Sequence, residues 1–286
     1  MGATEFFCPH TLAEALELLA KYQQNAVIVN GGTDIVEKIA HGRVEPDAII
    51  YIQDIAELKG ITQEAGYVRI GGAATYNEIN ASPLSRQYPA IRQAIDGLGS
   101  PPIRVLGTPA GNIGTAVPAA DCNVAMLALD ASLVLASKYG ECTVPIKDIF
   151  VGYGKTQLKT DELIKEIRLP LPAANSASAF LKLTRRKAQD IAQVSVGVML
   201  AVEGEICRAV NIALGAVNAT AVRAYSLEKL MVGKKVAEGA QLLKDSFPAE
   251  ASLRSPRNRA YKSAVIGVLT ERAIMQAYAA VLGGKK

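Results

Sequence analysis

Apolar positions near the start of the chain repeat first at helical and then at strand spacing. Behind Thr11-Leu-Ala-Glu14, which has the form of a capping box, Leu12, Leu16 and Leu19 share one helical face, so a helix is expected there. Val27-Ile28-Val29 then reads as an interior strand, Gly31-Gly32 as a turn, and a second helical turn starts near Thr33. Ala48 to Ile52 is a further unbroken apolar run, so residues 1–55 are predicted to form a small α/β lobe. The pattern changes after that. Short β-rich stretches at Val68–Ile70, Ser132–Ala136 and Leu163–Leu169 alternate with turn residues, predicting a more irregular α+β region over residues 56–173. Two prolines and a run of small residues between Leu169 and Ser176 mark a linker. Beyond it, strands at Ala179–Thr184, Val194–Val202 and Val210–Leu214 precede helices at Ser226–Met231, Val236–Phe247 and Arg259–Leu282, a C-terminal domain of residues 174–286 that ends in a frayed tail, Gly283 to Lys286.

Half of the 286 residues are hydrophobic and 20% are charged, enough for a large core in one to three domains. No apolar run approaches the roughly 20 residues that cross a bilayer, and Met1 to His10 lacks the form of a signal peptide, so the expectation is a cytoplasmic protein without a membrane segment. A net charge of +4 from 31 basic and 27 acidic residues, densest at Arg185-Arg186-Lys187, gives no basic face for nucleic acid. Cys8, Cys122, Cys142 and Cys207 are far apart and predict reduced, mostly buried thiols rather than a metal site. With only His10 and His41 there is no clear catalytic triad, and no acid, base or nucleophile stands out. The chemistry is expected to come from a cofactor.

Two glycine-bearing segments, Asn30-Gly31-Gly32-Thr33-Asp34-Ile35 and Thr108-Pro109-Ala110-Gly111-Asn112-Ile113-Gly114-Thr115, indicate which. Backbone free of bulky side chains can approach an anion and offer it N–H groups, so two such loops can grip one dinucleotide from both sides. Neither is a Rossmann fingerprint or a P-loop. Taken singly, the first also reads as a strand-to-helix turn capped by Thr33 or Asp34, and the second as a tight connection to a helix that starts with the acid Asp121.

Val29 to Ile35, Ser100-Pro-Pro-Ile-Arg104, Gly111 to Asp121 and Arg185 to Ala192, in that order over nearly the full length, resemble the FAD-binding medium subunit of molybdenum hydroxylases, the xanthine dehydrogenase and carbon monoxide dehydrogenase family. The resemblance implies an α+β architecture: a vanillyl-alcohol-oxidase (PCMH)-type FAD-binding fold of two α/β lobes plus a C-terminal antiparallel sheet with helices. It implies noncovalent FAD wrapped by Ile28, Val29, Asn30, Gly31, Gly32, Thr33, Asp34 and Ile35 on one side. Thr108, Gly111, Asn112, Gly114 and Thr115 would close the other, with Ala120 and Asp121 near the ribityl chain and Leu163, Ile164 and Lys182 close to the cofactor. Tyr153 and Asp190 match positions beside the electron acceptor. Where the family usually has Thr-Ile-Gly-Gly-Asn, this chain has Thr108-Pro109-Ala110-Gly111-Asn112.

The implied role is an electron-transfer subunit. It would assemble with a small [2Fe–2S] subunit and a large molybdopterin subunit, as a dimer of heterotrimers, and would pass electrons through FAD to NAD or another acceptor. A self-contained FAD-dependent reductase or oxidase of the same fold, and a scaffold subunit that has lost FAD, are the competing expectations.

Overall fold

The computed structural model describes residues 4–253 and 258–283. The chain opens with β1 (Glu5–Phe7), α1 (Leu12–Tyr22), β2 (Ala26–Val29), α2 (Ile35–Ala40) and β3 (Ala48–Tyr51). The three strands form a parallel sheet in the order β1-β3-β2. Thr11 caps α1 by accepting from the Glu14 N–H, while the Glu14 carboxylate accepts from the His10 N–H, so the second arm of the expected box closes one residue early. Leu16 and Leu19 face a core that includes Ile50, Ile52, Ile55 and Leu58 and also takes in Ala136 and Leu163 from the next sheet. Val27 and Ile28 are only half-buried, because the strand that the apolar run predicts has a cavity over it.

The second sheet is antiparallel, in the order β4-β5-β10-β6-β7. Its strands are β4 (Ile61–Glu64), β5 (Tyr67–Gly71), β6 (Ser132–Ser137), β7 (Gly140–Pro145) and β10 (Leu163–Pro170). Between β5 and β6 run α3 (Tyr76–Ala81), α4 (Pro89–Asp96), α5 (Pro101–Leu106), α6 (Pro109–Thr115) and α7 (Asp121–Ala128); α8 (Ile146–Ile149) and the hairpin β8 (Phe150–Gly152) and β9 (Lys155–Thr156) follow β7. Every residue of α7 is buried, the polar Asp121 and Asn123 included, because the helix is enclosed on every side. It lies between this lobe and a third sheet, antiparallel β11 (Ser176–Leu183), β12 (Val194–Glu203), β13 (Ile206–Gly215) and β14 (Val222–Arg223). With this sheet pack α9 (Tyr225–Met231), α10 (Val236–Lys244) and α11 (Arg259–Gly283) around a separate apolar cluster.

Several expectations are corrected. Thr108 to Thr115 is not a loop: Pro109 occupies the first helical position, where its missing N–H costs nothing, Thr108 caps the end, and the segment is the helix α6. The middle region is richer in helix than its alternation suggests, because α3, α4 and α5 are six to eight residues long and too short to show a clear period. A complete capping box stands at Thr75 and Glu78, ahead of α3. Helix α10 ends at Lys244 rather than Phe247, just before Pro248. Helix α11 is long and apolar enough, by length and composition, to cross a bilayer; here its Ile266, Leu269, Ala273, Ile274 and Ala277 belong to the C-terminal core against β11 and β12. Only Cys122 and Cys207 are buried, whereas Cys8 and Cys142 are exposed. Gly283, expected in the tail, is still helical; Gly284 to Lys286 lie outside the described residues.

Candidate functional site

A cavity of about 760 Å³ opens where β2, α6, α7 and the start of β10 converge, within the size range of small-molecule and cofactor sites. Its walls come from all three sheets' surroundings. The first glycine segment forms one wall. Gly31 has no alternative there, because a Cβ would stand 1.8 Å from the Leu106 carbonyl oxygen, so glycine lets the segment preceding α6 lie directly against the first turn. Gly32 adopts φ +68°, in the left-handed region that side chains resist. The Asn30 side-chain N–H donates to the Gly72 carbonyl at 2.7 Å, tying this turn to the end of β5.

Helix α6 forms the opposite wall. Thr108 Oγ1 accepts from the Gly111 N–H at 3.1 Å, and Thr115 Oγ1 donates to the Gly111 carbonyl at 3.0 Å. Thr115 Oγ1 also reaches Asp34 Oδ2 at 3.5 Å, so the two glycine segments meet. A Cβ at Gly114 would find no atom within 4 Å and points into open space. The departure at Pro109-Ala110 is absorbed by the helix: Pro109 is its first residue, and Ala110 is buried and lines the cavity.

The third wall carries the charge. Lys182 Nζ lies 2.7 Å from Asp121 Oδ2 and donates to the carbonyls of Gly97 at 2.7 Å and Asp190 at 3.3 Å, joining β11, α7, the end of α4 and the loop after β11. Burial pushes the Asp121 carboxyl up to about 6, against the pull of the Lys182 hydrogen bond and charge. Tyr76 and Cys122 beside it are pushed well up, mainly by burial, with the Asp121 charge acting the same way on both. The Asp190 carboxylate accepts from the N–H groups of Arg185, Arg186 and Ile191 at 2.8, 2.9 and 3.1 Å. Desolvation opposes its ionisation, but the Arg186 and Arg185 N–H groups and their guanidinium charges prevail and hold it below the usual carboxylate range.

Eighteen of the twenty residues nominated from sequence line this one cavity: Ile28, Asn30, Gly31, Gly32, Thr33, Asp34, Ile35, Thr108, Gly111, Asn112, Gly114, Thr115, Ala120, Asp121, Leu163, Ile164, Lys182 and Asp190. Val29 does not, because its side chain sits beneath the Gly32 turn, its Cγ1 3.6 Å from where a Gly32 Cβ would stand. Tyr153 does not either; it projects from the β8–β9 turn and is 62% exposed, although the Gly154 N–H donates to the Ala116 carbonyl just past α6. Sequence reasoning missed Lys38, Tyr76, Leu98, Ile103, Lys159, Glu162 and Ile191, all of which line the cavity. Ile103 and Ile191 fall within the segments Ser100–Arg104 and Arg185–Ala192 that carry the resemblance, whereas Lys38, Tyr76, Leu98 and the loop pair Lys159 and Glu162 stand on separate elements outside every quoted motif.

FAD fits this cavity by two tests. Asn30 Oδ1, Asn112 Oδ1, Asp121 Oδ1 and the Tyr76 hydroxyl, all on lining residues, are buried without a hydrogen-bond partner among the described residues, and the three acceptors among them suit the several O–H and N–H donors that FAD carries along its length. The open space at Gly114 leaves room for a ligand against backbone. Parallel and antiparallel lobes enclosing such a cavity, followed by an antiparallel sheet with helices, make up the PCMH-type FAD-binding fold with its C-terminal domain. Residues 2–172 match the family model described as FAD binding domain in molybdopterin dehydrogenase, and residues 179–277 match CO dehydrogenase flavoprotein C-terminal domain. The chain therefore belongs to the family of FAD-binding medium subunits of molybdenum hydroxylases, which are subunits of oxidoreductases. It is 35% identical over 235 residues to the nicotinate dehydrogenase FAD-subunit of Eubacterium barkeri, covering 80% of this chain and 79% of that one. It is 30% identical over 282 residues to the carbon monoxide dehydrogenase medium chain of Hydrogenophaga pseudoflava, covering 96% and 97%. A solved structure of carbon monoxide dehydrogenase from Hydrogenophaga pseudoflava, in a form lacking the Mo-pyranopterin moiety, superposes with a TM-score of 0.89 at 29% identity, over 97% of this chain and 98% of that one.

Proposed function

We propose that this chain binds FAD noncovalently in the cavity between the glycine turn and α6, and that it relays electrons from [2Fe–2S] clusters on a small partner subunit to NAD or another acceptor. A large molybdopterin subunit would oxidise the substrate, the assembly being a soluble, cytoplasmic dimer of heterotrimers. Bound FAD supplies the ability to take electrons singly and deliver them in pairs, while the protein positions and tunes it. In this reading the chain divides at residues 55 and 173, with the cofactor between the first two parts. The segment from Ile28 to Ile35, with Thr108, Gly111, Asn112, Gly114 and Thr115, holds the diphosphate and its surroundings. Ala120, Asp121 and Lys182 present polar groups to the ribityl and ring region, with Leu163 and Ile164 as apolar packing. Tyr153 and Asp190 face the acceptor.

The observation that carries the reading is the convergence of both glycine segments and the Asp121–Lys182 pair on one cavity whose lining residues keep unpartnered acceptors. Purification of the chain together with the products of neighbouring genes tests it by absorption spectroscopy and metal analysis. Flavin and iron–sulfur bands with bound molybdenum are expected. Flavin without the other centres would replace the relay with a self-contained flavoenzyme, and a colourless chain would end the FAD assignment.

A further inference from the structure

Four carboxylates line the cavity, and each has a cation beside it among the described residues. Asp121 pairs with Lys182 at 2.7 Å, Glu162 with Lys159 at 3.0 Å, Asp190 with Arg186 at 3.3 Å, and Asp34 with Lys38 at 2.5 Å. A cavity lined by four unmatched carboxylates would repel an anionic ligand; this lining does not. The four pairs differ in location. Asp34 follows Gly31-Gly32-Thr33 directly, and its Oδ2, the oxygen that meets Lys38, is also the one reached by Thr115 Oγ1 from α6. The Asp34–Lys38 pair thus stands at the seam of the two glycine segments. Lys38 is one turn further along α2 and itself lines the cavity, with its side chain 36% exposed. Its four-carbon stem lets the ammonium swing without moving the backbone.

Resting on the FAD reading above, we infer that Lys38 is the cationic partner of the diphosphate, and that Asp34 holds its ammonium over the seam until the nucleotide arrives. The glycine segments offer backbone approach without formal charge, so a doubly charged diphosphate at this place meets a bare carboxylate unless Lys38 offsets it. Both roles depend on charge. Lys38→Met exposes the diphosphate to Asp34, Asp34→Asn frees Lys38 for the diphosphate, and the double variant returns the local charge to that of the native pair.

The test is fluorescence titration of the full chain with FAD and, separately, with riboflavin, which has the ring and ribityl chain but no phosphate. Lys38→Met is expected to weaken FAD about 2- to 5-fold, in the range of a partly exposed charge interaction, and to leave riboflavin binding unchanged. The loss should shrink when salt is raised from about 50 to about 500 mM, because screening reaches a few ångströms there. Lys38→Arg should retain FAD binding, Asp34→Asn should tighten it, and Asp34→Asn/Lys38→Met should restore it toward the native value. Equal losses for FAD and riboflavin, a loss insensitive to salt, or no recovery in the double variant would overturn the role of Lys38. If Lys38→Met fails to fold, Asp34→Asn decides alone, and unchanged or weaker FAD binding in it counts against the inference. Native chain that binds neither probe would sink the FAD reading itself rather than this refinement.

Discussion

Lys182→Met is the most discriminating perturbation of the cavity, because its effect should depend on pH in a direction that the structure fixes. The Asp121 carboxyl lies at about 6 in the folded chain against an ordinary 3.8, so the folded state holds that proton more tightly than the unfolded state does. Stability from this group is full below about pH 4 and is lost as pH rises through about 6; the difference corresponds to about 3 kcal/mol. This holds with Lys182 in place, 2.7 Å away, the two side chains 13% and 7% exposed. Removing Lys182 takes away the hydrogen bond and charge that favour the carboxylate, so at pH 8 the chain must carry a lone buried anion or take up a proton. A cost of about 3 kcal/mol follows, the lower end for broken buried pairs because Lys182 keeps some exposure. At pH 5 Asp121 is mostly protonated, and what remains is the loss of bonds to the Gly97 and Asp190 carbonyls, on the order of 1 kcal/mol. Tyr76 and Cys122 stay neutral across this window because burial raises both. Urea unfolding of the flavin-free chain and its Lys182→Met variant at the two pH values measures the difference. Equal destabilisation at pH 5 and pH 8, or a greater one at pH 5, would refute the coupling.

Gly31→Ala should cost more than 2 kcal/mol and sharply reduce folded yield, since its methyl meets the Leu106 carbonyl at 1.8 Å and both partners are backbone; a melting temperature equal to native would refute this. Gly114→Val acts oppositely, filling open space at the cavity wall: FAD affinity should fall at least about tenfold while the melting temperature of the flavin-free chain moves by only a few degrees, as equilibrium dialysis and thermal denaturation would report. Arg223→Met removes bonds to Asp130, Glu228 and Asn211 that join α7's end to the C-terminal domain. It should cost about 3 kcal/mol, read as a lowered melting temperature with flavin retained by the folded fraction.

The glycine segments, the strand at Val27–Val29 and the strands-then-helices order of the C-terminal part were legible because each is written locally: a run, a turn residue, a period. Asp121 was legible for the same reason, as an acid opening an apolar helix. Local pattern was misleading where two structures share one composition. Thr108 to Thr115 reads as a glycine loop but is a helix, because proline at its first position and a threonine cap outweigh two glycines once Ile113 and Ala110 find a core. Lys38, Tyr76, Leu98 and Glu162 carried no signal, since nothing in the residues around them says what lies across the cavity.

What the chain's order of residues determines by itself is therefore the set of elements and the two places where backbone is left bare. Which side chains face which was decided only on folding, when β11 brought Lys182 across 61 residues to Asp121 and α6 brought Thr115 across 81 to Asp34. Pairings at that separation depend on how the lobes and the C-terminal sheet pack together, with α7 enclosed between the second lobe and that sheet, and burial then fixes the energetics: only inside a desolvated wall does the Asp121 carboxyl rise to about 6.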